Sequence, residues 1–294
     1  MRLEGRATGD GSSSSVASVL PSTSATSLGS STSTQSTITT STGAPTGVAA
    51  LESLPSPFDT SLGNNFTSST CPTFFNNFLT NTSFTSCLPF SLLLQTSNSF
   101  FAVERSLVRL TQTLYTTCNV DLNQCSAIMA SLARDIQSGD HCGSDFAAQN
   151  PTVVQAYNGF VAYQPLYHAG CLKNTAGDYC FASAITNTSS TTDSYTYYLP
   201  LGVPLPGGSR PTCNTCLQNT MAIFSNAASN SSQPVSHDYG DAAQQINLGC
   251  GPNFVNVTVP RLASAAMATG ASMLGFGGWG LLTLLAVLLS SFLS

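Results

Sequence analysis

The sequence predicts a mainly α fold: a disulfide-crosslinked helical domain with one Tyr/Pro-rich extended loop or hairpin, flanked by disordered segments. Three observations predict it. Apolar residues in the middle of the chain recur at three-four spacing, which lines one face of a helix. All ten cysteines lie between residues 71 and 250. The start is compositionally unlike this middle: from Gly11 to Thr46, 22 of 36 residues are Ser or Thr. Such a stretch buries too little apolar surface to offset its chain entropy.

Residues 1–55 therefore read as a disordered Ser/Thr-rich region. No charge falls between Gly11 and Leu51, and Pro21 and Pro45 are scattered through it. That is the composition of an O-glycosylated stalk. Residues 56–260 are the candidate folded domain. In "CPTFFNNFL", Phe74, Phe75 and Phe78 fall at helical spacing and read as core. Phe100, Val103, Leu107, Leu110 and Leu114 form one apolar stripe on a predicted helix. Asp121 is a candidate N-cap for the next, which places Cys125, Ile128, Leu132 and Ile136 on one face and ends before Ser138-Gly139. Pro151 suits the first turn of a third helix, with Val154, Tyr157 and Val161 inward, and Pro165 should end or kink it. The stretch "TDSYTYYLPLGVPLPGG" is the extended loop or hairpin. "CNTCLQNTMAIFS" gives a further helix with Cys213, Leu217, Met221 and Phe224 aligned. "YGDAAQQINLGCG" gives a last short one, stopped by Gly249 and Gly251.

Charged residues make up 7% of the chain, and the net charge is −5 with eight Lys and Arg. Soluble domains carry about 25% charged residues, so this surface needs another source of hydration, which Ser, Thr, Asn and attached sugars supply. No basic patch exists to neutralise phosphates, which argues against nucleic acid as a partner. Cys71, Cys87, Cys118, Cys125, Cys142, Cys171, Cys180, Cys213, Cys216 and Cys250 form an even set, read as five disulfides. Most sit at or near predicted helix ends, where a bridge ties one helix to another. Spacing alone leaves the pairing open. Five N-x-S/T sequons accompany them, at Asn65, Asn81, Asn187, Asn230 and Asn256. Together they indicate the secretory pathway. "MRLEGRATGDGSSSSVASVLPSTS" contains no apolar h-region, so the expected start of a secretory precursor lies upstream.

Few patterns carry chemistry. Cys213 and Cys216 form a C-x-x-C at a helix start, which can run disulfide exchange. The thioredoxin setting also requires a βαβ unit, and none is predicted, so two structural cysteines pairing elsewhere is the preferred reading. His141, His168 and His237 sit in no metalloprotease pattern, and no G-x-S-x-G elbow occurs. A glycosidase needs two carboxylates about 5–10 Å apart. The one Glu after residue 55, Glu104, reads as surface charge beside Arg105. Tyr195, Tyr197 and Tyr198 read as either a packed hairpin or an exposed stacking surface. No catalytic, cofactor-binding or metal-binding residue is assigned, and no cofactor is expected.

Residues 261–294 end in "GASMLGFGGWGLLTLLAVLLSSFLS". The apolar run Trp279–Leu293 reaches about 22 Å as a helix, short of the roughly 30 Å hydrocarbon core of a bilayer. No Lys or Arg follows it. Small residues precede it, which makes it read as a GPI-attachment signal removed on maturation, with Ser264, Gly270 and Ser272 as candidate attachment residues.

"SPFDTSLGNNFTSSTCPTFFNNFLTNTSFTSCLPFSLLLQTSNSFF", Ser56 to Phe101, resembles the opening of an uncharacterised fungal family. Its members are secreted, cysteine-rich and often GPI-anchored, and carry a domain of unknown function. "CNTCLQNTMAIF" and "INLGCGPNFVNVTVP" resemble its closing segments, so the resemblance covers about Ser56 to Pro260. It implies a helical domain at a fungal cell surface and brings no activity or catalytic residue with it. The tight eight-cysteine spacing of the haem-binding CFEM module is absent. The expectation is a GPI-anchored fungal cell-surface glycoprotein with a structural, adhesion or recognition role. Its partners would be the membrane through a GPI lipid, and wall polysaccharide or surface proteins. The alternative is an extracellular enzyme acting on wall glycan or disulfides.

Overall fold

Apolar spacing sets the face each longer helix buries, and capping side chains fix several of the starts. The structure, a computed structural model, describes residues 53–259. The Ser/Thr-rich stretch up to residue 52, the expected attachment signal over 261–294 and the candidate attachment residues Ser264, Gly270 and Ser272 lie outside the described residues. Twelve α-helices are described: α1 (Thr70–Thr80), α2 (Thr82–Thr85), α3 (Phe90–Thr96), α4 (Asn98–Glu104), α5 (Leu107–Cys118), α6 (Leu122–Asp135), α7 (Gly143–Ala147), α8 (Pro151–Val161), α9 (Tyr163–Gly170), α10 (Cys180–Thr186), α11 (Thr215–Ala228) and α12 (Val235–Cys250). A 3-10 helix, Asp193–Leu201, lies between α10 and α11. The described residues contain no strand, only an isolated bridge between Lys173 and Tyr179. None of their helices is long and apolar enough to cross a membrane.

Several starts follow the expected chemistry. The Asp121 carboxylate accepts the Gln124 N–H and caps α6. Pro151 opens α8 behind the Asn150 cap. Other details differ. The stripe from Phe100 to Leu114 is split between two helices, because Ser106 turns extended and caps α5 through Arg109 N–H. Leu107 then opens α5 and is 54% exposed, while Phe100, Val103, Leu110 and Leu114 are buried. In α8 the inward residues are Val153, Ala156, Gly159 and Phe160; Val154, Tyr157 and Val161 are half-buried. The inward face is thus turned by one residue from the predicted one. The chain breaks at Ala162, and Pro165 lies in the first turn of α9, where its missing N–H costs nothing.

The Tyr/Pro-rich stretch is not a hairpin. It winds into the 3-10 helix, which buries Thr196, Tyr197, Leu199, Pro200 and Leu201 and ends at Gly202 with φ 75°. Pro200 lies inside this helix, one residue before its last, Leu201. Tyr195 stays 42% exposed, Tyr197 is buried and Tyr198 is half-buried.

Two apolar clusters form the core. One gathers Phe75, Phe78, Phe84, Met129, Ile136 and Phe160 from α1, α2, the α6 region and α8. The other gathers Phe90, Phe100, Phe181, Tyr197, Met221, Phe224 and Tyr239 from α3, α4, α10, the 3-10 helix, α11 and α12. α3 serves both, with Leu92 in the first and Leu93 and Leu94 in the second. It approaches α8 and α9 closely because two glycines face it. A Cβ on Gly159 would stand 2.3 Å from Leu92 Cδ2, and one on Gly170 2.8 Å from the Phe90 ring.

Candidate functional site

The C-x-x-C and part of the Tyr-rich stretch meet around the start of α11. Asn214 caps this helix, its side chain accepting the Leu217 N–H at 2.9 Å. Cys213 precedes the cap and Cys216 lies in the first turn. The two do not pair with each other. Cys213 bonds Cys250 at the end of α12, and Cys216 bonds Cys180 at the start of α10. The remaining pairs are Cys71–Cys142, Cys87–Cys125 and Cys118–Cys171. All ten cysteines are thereby bonded and no free cysteine remains among the described residues, so the C-x-x-C holds no thiol pair for exchange in this state.

A cleft of about 140 Å³ opens beside the Cys180–Cys216 bond, lined in part by Asn187, Asp193, Thr196, Tyr197, Thr212 and Asn214. Its polar groups are largely spent on one another. Asp193 accepts the Thr212 N–H at 2.7 Å and the Asn187 amide at 2.7 Å. The same Asn187 nitrogen also donates to Thr212 Oγ1 at 2.9 Å. These bonds tie the residues after α10 to the loop that leads into α11. One carboxylate lines this cleft, and one, Asp59, lines a second cleft near Pro55 and Phe84. Neither cleft offers the two facing carboxylates that glycoside hydrolysis uses.

Asp59 has a structural task. It accepts the Asn98 and Ser99 N–H groups at 2.8 Å each and the Ser97 and Ser99 hydroxyls, which pins the leading segment to the start of α4. Partial burial pushes its pKa up, but these donors outweigh that and hold it below the usual carboxylate range. Asp145 is fully buried and accepts the Thr67 and Ser68 N–H groups at 2.6 and 3.1 Å. Sequence spacing gave no sign of these long-range ties; an Asp at a helix start ordinarily caps its own helix.

The histidines are dispersed. His141 stacks on Phe74 at 4.9 Å, while His168 and His237 are exposed on α9 and α12. No group of three or more His, Cys, Asp or Glu suited to a metal occurs among the described residues.

Glu104 departs most from expectation. It is half-buried rather than a surface charge, and its Oε1 is enclosed without a hydrogen-bond partner. Burial raises its pKa from 4.5 to about 7. Tyr198 is pushed up to about 12, by burial and then by the Glu104 charge. Because the folded pKa lies above the unfolded one, folding retains a proton. Stability is full below about pH 4.5, falls as pH rises to about 7, and stays low above that. Allowing for the part of the group that water reaches, the loss is on the order of 1–2 kcal/mol. Thermal melts at pH 5 and pH 8 should show this fall, and Glu104→Gln should remove it by raising the pH 8 value alone.

The sequons divide into two kinds. Asn65, Asn81, Asn230 and Asn256 are exposed. The Oδ1 atoms of Asn81, Asn230 and Asn256 each accept the N–H two residues on, at 2.8, 3.0 and 2.9 Å. Asn187 makes the same turn with Ser189 N–H, but it is half-buried and its amide nitrogen is committed in the cleft.

Residues 53–259 match a family described as a domain of unknown function, DUF7729. The chain belongs to this family. No curated protein and no solved structure matches it. The DUF7729 domain spans all the described helices and all five disulfides.

Proposed function

We propose that this chain is a fungal cell-surface glycoprotein, GPI-anchored, whose DUF7729 domain has a structural, adhesion or recognition role. The observation that carries the reading is the covalent framework: five disulfides, two of them sealed in the core, in a domain with no free cysteine among its described residues. Such bonds form and persist in oxidising compartments. Four exposed sequons add support, since sugars there would hydrate a surface poor in charge. The anchor rests on the closing apolar run and the small residues before it. Phospholipase treatment of intact cells should release the protein carrying an inositol glycan; a protein that stays cell-bound and lacks that glycan would count against the anchor.

The sequon geometry makes a sharper expectation. An attached sugar replaces one of the two amide hydrogens. At Asn187 that would break a bond to Asp193 or Thr212 and force a sugar into the cleft wall. Glycopeptide mass spectrometry of the folded protein should find sugar at Asn65, Asn81, Asn230 and Asn256, and Asn187 bare. Full occupancy at Asn187 would contradict the packing of that cleft.

A further inference from the structure

The five disulfides differ in how far water and solutes reach them. Cys71 and Cys142 are both 0% exposed, and Cys87 and Cys125 are 1% and 4% exposed. Cys180 is buried beside a half-buried Cys216, and Cys118 and Cys171 are both half-buried. Cys213 alone among the ten is exposed. It stands just outside the Asn214 cap, with Thr212 and Asn214 on either side also exposed. Its partner Cys250 ends α12 next to exposed Gly249 and is half-buried, and both sulfurs lie 4.0 Å from the Pro211 carbonyl oxygen. Thiol–disulfide exchange requires a thiolate to reach a sulfur, so access decides which bond reacts first, and exposed bonds are the labile ones.

We propose that Cys213–Cys250 is a site of covalent exchange with an external thiol, such as a small cysteine-containing peptide. The incoming thiolate attacks the Cys213 sulfur. A mixed disulfide forms at Cys213, the Cys213–Cys250 bond breaks, and its electron pair leaves on the Cys250 sulfur. No net oxidation or reduction of the pair of reactants occurs. The Cys250 thiolate then takes a proton from water, which completes the exchange.

The domain does not depend on this bond for its local shape. Asn247 holds Val255 through both N–H and carbonyl, at 2.8 and 2.9 Å. The Tyr239 hydroxyl donates to the Asn256 carbonyl at 2.5 Å and Gln218 donates to the Phe254 carbonyl at 3.1 Å. The first turn of α11 stays fastened through Cys216–Cys180. Opening Cys213–Cys250 therefore leaves the mixed disulfide at Cys213 on a folded surface, which suits covalent attachment of a thiol-bearing neighbour. This site goes beyond the surface role proposed above and does not require the anchor.

The test is to incubate the folded full chain with glutathione, quench with iodoacetamide and map every cysteine. Glutathione should appear on Cys213 and the alkyl group on Cys250, with the other eight cysteines unmodified and the helical circular dichroism unchanged. A Cys213→Ser, Cys250→Ser double variant should keep that helical signal and take up no glutathione at the same concentration. First modification at any other pair, or opening of Cys213–Cys250 only together with loss of helical signal, would overturn the proposal.

Discussion

Removing the Cys71–Cys142 bridge with paired alanines should lower the stability of the folded domain by at least about 4 kcal/mol. The two cysteines are 71 residues apart, and chain-entropy arguments give about 4 kcal/mol for closing a loop of that length in the unfolded state. Burial adds to this, because both sulfurs are packed at 0% exposure and alanine leaves a void in their place. Alanine is the informative replacement, since serine would also strand a hydroxyl in an apolar site. The fold should nevertheless survive. The entrance to α1 is also held by Thr70 Oγ1 donating to the His141 carbonyl at 2.7 Å, by the Phe74–His141 stack and by Asp145 on Thr67 and Ser68. Denaturant titration should therefore show a lower midpoint and a single cooperative transition. A loss below about 1 kcal/mol would mean that the unfolded chain already holds these ends together.

These ties show what the sequence could and could not reveal. A helical class was legible because α6, α8 and α11 are amphipathic over several turns, with Asp121 marking the start of α6 and Pro151 that of α8. A cap is a local event: three or four residues contain the donor, the acceptor and the turn. The break at Ser106 is local too, but an unbroken apolar stripe ran across it and concealed it. The 3-10 helix at Asp193–Leu201 was missed for a different reason. Tyr and Pro favour extended backbone when isolated, and here packing of Tyr197 against Phe181, at 4.8 Å, overrides that preference. Disulfide partners were illegible because each joins elements at least 36 residues apart, a distance over which spacing carries no geometric information. The nearness of Glu104 to Tyr198 was likewise illegible, because the 3-10 helix that carries Tyr198 was not foreseen. Of the candidate site, the residue types could be named in advance, as could the pairing of Cys213 and Cys216 elsewhere rather than with each other, but not which partners they take.

Phe181→Ala should cost about 3–5 kcal/mol, the range for truncating a fully buried aromatic. Phe181 follows Cys180 and is 0% exposed. Its ring lies 4.8 Å from Phe90 of α3, 6.2 Å from Phe100 of α4 and 4.8 Å from Tyr197 of the 3-10 helix. Truncation removes the shared contact of three elements that otherwise meet through few hydrogen bonds, and Cys180–Cys216 prevents α10 from shifting to fill the void. The exposed neighbour Phe101, at 43%, is the control: Phe101→Ala should change stability by no more than about 0.5 kcal/mol. Near-equal losses in the two variants, measured by denaturant titration, would show that burial does not set the energetics here. A large loss confined to Phe181 would instead place the mechanical centre of the larger core at the junction of α3, α10 and the 3-10 helix. The cleft with Asn187 and Asp193 is built from that same 3-10 helix, so its walls should loosen in Phe181→Ala while the α1 end of the domain keeps its native hydrogen-exchange protection.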